Sequence, residues 1–222
     1  MKLVEMTVED FSKEVDSNSP APGGGSVSAL ASNIGVSLAR MMANLSFGKK
    51  KYESLDEEIR KEFTERFNKL GDIREELLML VDKDTESFDA YMKALKMPKE
   101  TDEEKMVRKE SIKRATEFSI EVPFKTASIS LESLELLSFM AKYGNQNAIT
   151  DIGVGTLLIY TGIEGAILNV KVNLLGLDDE AMISEYTKNC NSILNKACEI
   201  KDEILGNIHN DLNPIKSVKN VT

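Results

Sequence analysis

The heptapeptide Pro20-Ala-Pro-Gly-Gly-Gly-Ser26 sets three consecutive glycines directly before a serine suited to start a helix. Glycines cost backbone entropy and bury no side chain. A run of three belongs where the main chain takes unusual dihedral angles or where a ligand must approach it closely. A helix starting there offers unpaired N–H groups and partial positive charge to a phosphate or carboxylate. A plain loop with an N-cap has the same sequence. The spacing matches neither the phosphate loop G-x-x-x-x-G-K-[ST] nor the dinucleotide pattern G-x-G-x-x-G. Asp84 stands on an otherwise apolar stripe, where a carboxylate must be paired, protonated or turned into a cavity. A structural salt bridge or a helix cap is the alternative there. Gly144-Asn-Gln-Asn-Ala-Ile-Thr-Asp151 gathers amides, a hydroxyl and a carboxylate where an apolar helix begins. Asp151 would also suit a first helical turn for the sake of the dipole alone. The sole histidine, His209, lies near the C-terminal end, so acid–base chemistry falls to Asp, Glu, Lys, Tyr or water.

The elements that must position these residues are helices. The chain has 222 residues, 41% hydrophobic and 29% charged, a length and balance that suit one soluble domain with a sizeable core. A net charge of -9 argues against a nucleic-acid partner. Cys190 and Cys198, the only cysteines, suggest neither a disulfide framework nor a zinc site, and the cytoplasm is the expected compartment. The start of the chain turns acidic too early for a signal peptide. Two stretches poor in charge, Val27 to Leu45 and Ile152 to Val170, carry too many polar residues and glycines to read as membrane spans.

Capping-box spacing at Thr7-Val-Glu-Asp10, Ser54-Leu-Asp-Glu57 and Thr101-Asp-Glu-Glu104 predicts three helix starts. A second helix is expected from about Val27 to Leu45, central in the fold because its small residues let another backbone come close. The stripe Leu55 to Met97 predicts one long helix with a bend near Gly71, and Pro98 stops it. Pro123 is expected to kink the next helix or begin its successor, which ends at Tyr143-Gly144. An apolar helix over 147–173 follows, then an amphipathic one from about Asp178 to Ile208. Gly153, Gly155, Gly162 and Gly165 leave one side of the apolar helix bare, for close packing or for a flat ligand. Glu164 and Asn169 interrupt the same run and read as satisfied core residues. Lys49, Lys50 and Lys51 form a local positive patch, a solvated loop or a lure for an anionic tail. The expected fold is all-α: one domain over 1–208, a bundle of long antiparallel helices, with a tail over 209–222.

Ala21-Pro-Gly-Gly-Gly-Ser-Val27, Ala43-Asn-Leu-Ser46 through Lys51-Tyr52, Asp84-Thr-Glu-Ser-Phe88, Gly144-Asn-Gln-Asn147 through Asp151 and Asn169-Val-Lys-Val-Asn-Leu174 together resemble the cyclodeaminase/cyclohydrolase family, in order over about residues 3–208. The resemblance implies an all-helical homodimer acting on tetrahydrofolate one-carbon derivatives. Some members release ammonia from 5-formiminotetrahydrofolate; others hydrolyse 5,10-methenyltetrahydrofolate to 10-formyltetrahydrofolate. The chain lacks the formiminotransferase domain of the bifunctional animal-type arrangement, which favours the cyclohydrolase over the cyclodeaminase. A noncatalytic helical binding protein is the alternative of a different class. On this resemblance Asp84 or Asp151 is the carboxylate that activates water or shuttles a proton. Asn145 and Asn147 orient the pterin or the one-carbon unit. The amides of Gly23, Gly24, Gly25 and Ser26, with Lys51, hold a phosphate-like group or a glutamate carboxylate, including those of a polyglutamylated folate. No metal or redox cofactor is implied, and neither nucleic acid nor membrane is an expected partner.

Overall fold

Thr101 Oγ1 accepts from the Glu104 N–H at 3.1 Å while Glu104 Oε2 accepts from the Thr101 N–H at 3.0 Å, the reciprocal box its spacing announces. Thr7 caps in the same sense, accepting from the Asp10 N–H at 3.1 Å. A computed structural model describes residues 2–213. It contains α1 (Val8–Val15), α2 (Gly24–Asn44), α3 (Lys50–Glu53), α4 (Glu57–Leu95), α5 (Asp102–Tyr143), α6 (Ile149–Leu174) and α7 (Glu180–Asp211), with 3-10 turns at Leu3–Glu5 and Gln146–Ala148. No strand occurs among the described residues, so the chain is all-α as expected.

Side-chain pairs fix the direction of each long helix. Asn33 reaches the Arg74 carbonyl and Ser26 the Val81 carbonyl, so α4 runs against α2. Lys69–Glu132 and Lys125–Glu76 set α5 against α4. Gly24 lies beside Asn169 and Gly35 beside Gly155, so α6 also runs against α2. Phe124 meets Tyr186, and Lys196 pairs with Glu135, which makes α7 parallel to α5. Thus α4 and α6 oppose α2, α5 and α7.

The small residues of α2 work as expected. A Cβ added at Gly35 would sit 2.6 Å from the Gly155 carbonyl oxygen, and one at Gly155 would sit 2.8 Å from that of Gly35. Gly162 and Gly165 give the same closeness against Ser32 and Ser28, whereas Gly153 faces Ile208 of α7. These glycines therefore serve packing rather than a flat ligand. Around them Val36, Met42, Leu70, Leu134, Ile159 and Ile163 are fully buried.

Several local expectations fail for identifiable reasons. The glycines do not precede the second helix but form its first turn, with Gly23 as the N-cap. Ser54 is not an N-cap: it is the C-cap of α3, with its hydroxyl donating to the Lys51 carbonyl, while Asp56 stands at the N-cap of α4. The lysine segment is that short helix rather than a loop, pinned by Tyr52 stacking edge-on against Phe47 and Phe63. Helix α4 continues unbroken through Gly71, whose missing Cβ makes room for the Arg40 guanidinium lying 3.8 Å over the Phe67 ring. The last helix runs past Ile208 through His209 to Asp211, beyond the expected start of the tail, whose residues 214–222 lie outside the described residues.

Pro123 neither kinks off a successor nor starts one; α5 is a single helix through it. Proline has no N–H, so the carbonyl four residues earlier, that of Ser119, loses its helical donor. Asn173 of α6 supplies the replacement, with Nδ2 donating to the Ser119 carbonyl at 2.6 Å. A tertiary hydrogen bond thereby repairs what the local sequence breaks.

Candidate functional site

The first turn of α2 meets α4 at one carboxylate. Ser26 is fully buried; its N–H donates to Asp84 Oδ2 at 2.8 Å, and its hydroxyl donates to the Val81 carbonyl at 2.8 Å while lying 3.2 Å from the same Oδ2. Asp84 therefore caps α2 from a neighbouring helix, the bland role its position allowed. Yet these contacts all fall on Oδ2, which leaves Oδ1 as the acceptor for a ligand. Gly25 permits this approach, because a Cβ there would land on the carboxylate itself. Burial pushes the Asp84 carboxyl above the usual carboxylate range, and the two Ser26 hydrogen bonds offset only part of that rise.

Asp84 lines a cavity of about 320 Å³ with Gly23, Gly24 and Gly25. Phe88 and Tyr91, three apart on α4, add aromatic surface to its wall. From α5 come Thr116 and Ser119, and from α6 come Asn169 and Asn173. The cavity thus joins three helices and a turn that lie far apart in the chain.

The other sequence-predicted residues lie elsewhere. Asn145 donates its N–H to Ser46 Oγ at 2.8 Å and its side-chain amide to the Leu45 carbonyl at 3.1 Å, while its Oδ1 accepts from the Asn147 N–H at 3.1 Å. It ties the C-terminal end of α2 to the turn before α6. Lys51, Asn145 and Asn147 line a shallower hollow there with Lys49 and Gln146, of about 340 Å³. Asp151 occupies the first turn of α6 at this same end. A rise of 1.5 Å per residue puts it about 27 Å along α6 from Asn169 and the Asp84 cavity. Within one chain, then, Gly23, Gly24, Gly25, Ser26 and Asp84 come together, and Lys51, Asn145, Asn147 and Asp151 gather at the opposite end of the bundle. Among the described residues, no group of three or more His, Cys, Asp or Glu side chains is placed to hold a metal ion.

Sequence reasoning missed Phe88, Tyr91, Ser119, Asn169 and Asn173 as cavity residues. One signal was present: Asn169 and Asn173, four apart, put two carboxamides on one face of an otherwise apolar helix.

The profile of the formiminotransferase-cyclodeaminase family matches residues 7–192. A methenyltetrahydrofolate cyclohydrolase from Methylorubrum extorquens is 35% identical over 207 residues, which cover 93% of this chain and 98% of that protein. The formimidoyltransferase-cyclodeaminase of Gallus gallus is 33% identical over 196 residues, covering 88% of this chain but only 35% of the longer protein. The solved structure of formiminotetrahydrofolate cyclodeaminase from Thermotoga maritima superposes with a TM-score of 0.76 over 92% of this chain and 98% of its own, at 24% identity, and so shares the fold. The family profile covers most of the chain and the Methylorubrum relative is matched along almost its whole length, so the chain belongs to the formiminotransferase-cyclodeaminase family.

Proposed function

We propose that the protein is a methenyltetrahydrofolate cyclohydrolase, hydrolysing 5,10-methenyltetrahydrofolate to 10-formyltetrahydrofolate. The observation that carries this reading is the half-engaged carboxylate of Asp84, with Oδ1 unclaimed in a cavity beside Phe88, Tyr91 and bare glycine backbone. The full-length match to a cyclohydrolase supports it. The methenyl form carries a delocalised cation, which a carboxylate in a partly desolvated site attracts strongly. In the proposed reaction, water adds to the methenyl carbon as its proton passes to Asp84. The tetrahedral adduct then opens by breaking the bond from that carbon to N5: its hydroxyl proton leaves to solvent as the formyl C=O forms, and Asp84 returns its own proton to N5, so one proton is released overall. A carboxyl raised above its ordinary range is the better base near neutral pH. No metal or redox cofactor is assigned to this reaction, and the two unpaired cysteines suit a cytoplasmic setting.

Formiminotetrahydrofolate deamination is the competing reaction, favoured by the names of the longer relatives. Purified protein incubated separately with both folates tests the choice. Saturable loss of methenyl absorbance is the expected result; ammonia release from the formimino substrate alone would favour the deaminase. Turnover of neither, without saturable binding, would leave a noncatalytic binding protein.

The working unit in this proposal is a homodimer. Val27, Ile34 and Met41 on α2, Leu45 at its C-cap, and Val154, Leu157, Leu168 and Val172 on α6 are exposed although large and apolar. Helix α6 is long and apolar enough to cross a membrane by composition, yet α2, α5 and α7 cover its other side. A second copy docked antiparallel on this α2–α6 face would bring the Lys51–Asn145–Asn147–Asp151 end of one subunit beside the Asp84 cavity of the other. The far lysines would then reach an anionic folate tail. Leu168→Glu is expected to halve the mass seen by light scattering and to lower activity with it. A monomeric wild-type protein of full activity would contradict the dimer.

A further inference from the structure

The hydroxyl protons of Ser87, Thr116 and Ser119 on the cavity wall, and one N–H of each nearby carboxamide, are already engaged. Ser87 Oγ donates to the Asp84 carbonyl at 2.8 Å, Thr116 Oγ1 to the Ile112 carbonyl at 2.9 Å and Ser119 Oγ to the Ala115 carbonyl at 2.9 Å. Each hydroxyl therefore has only lone pairs left for a ligand. Asn173 Nδ2 is held by the Ser119 carbonyl that Pro123 leaves without a donor, and Asn169 Nδ2 donates to the Gly165 carbonyl at 2.9 Å. A carbonyl can only accept, so both carboxamides must turn their nitrogens to the backbone and their Oδ1 atoms away from it. With Asp84 Oδ1, the Oδ1 atoms of Asn169 and Asn173 and the lone pairs of these hydroxyls form a set of acceptors.

We infer that Asn169 and Asn173 are specificity-determining residues, whose Oδ1 atoms accept from N–H groups of a reduced pteridine, the exocyclic 2-amino group among them. This deepens the folate reading and rests on it. Side chains four apart on a helix lie about 5–6 Å from one another, a spacing that lets the two acceptors meet donors on different edges of a bicyclic ring. Ligands without donors along that edge bind less well, because these acceptors are then left unmatched. These bonds lie away from the one-carbon unit and are made equally before and during reaction, so their loss raises KM and leaves kcat nearly intact.

The test compares binding of tetrahydrofolate with that of its 2-desamino-2-methyl analogue, which lacks the exocyclic N–H donors. Wild-type protein should prefer tetrahydrofolate by about tenfold, the scale of one lost hydrogen bond. Asn169→Leu and the double variant Pro123→Ala/Asn173→Leu are then measured. Alanine at 123 restores the helical N–H to the Ser119 carbonyl, so the double variant removes the acceptor without reopening the gap in α5. At least one of the two should bring the preference close to unity and raise KM for 5,10-methenyltetrahydrofolate about tenfold, with kcat within about threefold of wild type. A purely structural role would lower stability and leave the preference unchanged, so an unchanged preference in both variants overturns the inference. Equal wild-type affinity for the two ligands overturns it too, whether or not the variants fold. Failure of wild-type protein to bind either ligand would bring down the folate reading itself, and this inference with it.

Discussion

Asp84→Asn is expected to cut turnover of 5,10-methenyltetrahydrofolate by about 10²- to 10⁴-fold, the range for removing a positioned acid–base group, while the protein folds normally. Asparagine keeps the shape and can still accept from the Ser26 N–H, so the first turn of α2 keeps its cap. It cannot take the proton from water. The wild-type rate should rise with pH through an inflection above the ordinary carboxylate range, as Asp84 ionises, and this acid limb should vanish in the variant.

Stability should move the other way. The folded carboxyl titrates above its unfolded value because burial disfavours its charge. The stabilisation contributed by the protonated form is complete below the unfolded pKa and is lost as pH rises through the raised folded pKa. At pH 7 the wild type therefore carries a desolvated charge that the variant lacks, and Asp84→Asn should melt at the same temperature or higher. Below the ordinary carboxylate range the difference should close. Activity lost together with a fall in melting temperature would instead mark Asp84 as a cap and nothing more.

Gly35→Ala should be strongly damaging to the body of the fold. The methyl group would meet the Gly155 carbonyl at 2.6 Å and the Ile159 amide nitrogen at 3.0 Å, and neither backbone atom can rotate aside. Alanine gains about 1 kcal/mol of helix propensity over glycine. Separating α2 from α6 costs more, so a net loss of about 2–3 kcal/mol is expected from overpacking. For a chain of this size that is a fall of roughly 5–10 °C in melting temperature. Gly206→Ala is the control: it lies within α7 with nothing inside 4 Å of the added methyl group, so it should stabilise by about 0.5–1 kcal/mol.

The contrast between these glycines shows what could be read from the amino-acid order. Thr7, Thr101 and the apolar stripe of α4 are governed by neighbours within four residues, and their helices appear where expected. Asp84 was visible because a charged residue interrupted that stripe. The continuity of α5 was hidden because the donor that repairs Pro123 sits on Asn173, fifty residues away. Asn169 looked like a core polar residue for the same reason: its exposure to a cavity depends on how α6 docks against α2 and α5. Ser26 looked like an N-cap, but with Asp84 held over the first turn of α2 the cap moved to Gly23. Lys51, Asn145 and Asn147 line one hollow and Asp151 lies in the first helical turn beside it, yet one chain holds them at the wrong end of α2 to share a ligand with Asp84.

Amide hydrogen exchange of the intact protein with and without saturating folate locates the ligand directly. Protection should appear over 23–27, 84–91 and 169–173, the backbone around the Asp84 cavity. Protection confined to 135–149 and 203–211, around the separate hollow between the ends of α5 and α7, would contradict the assignment of Asp84 to catalysis.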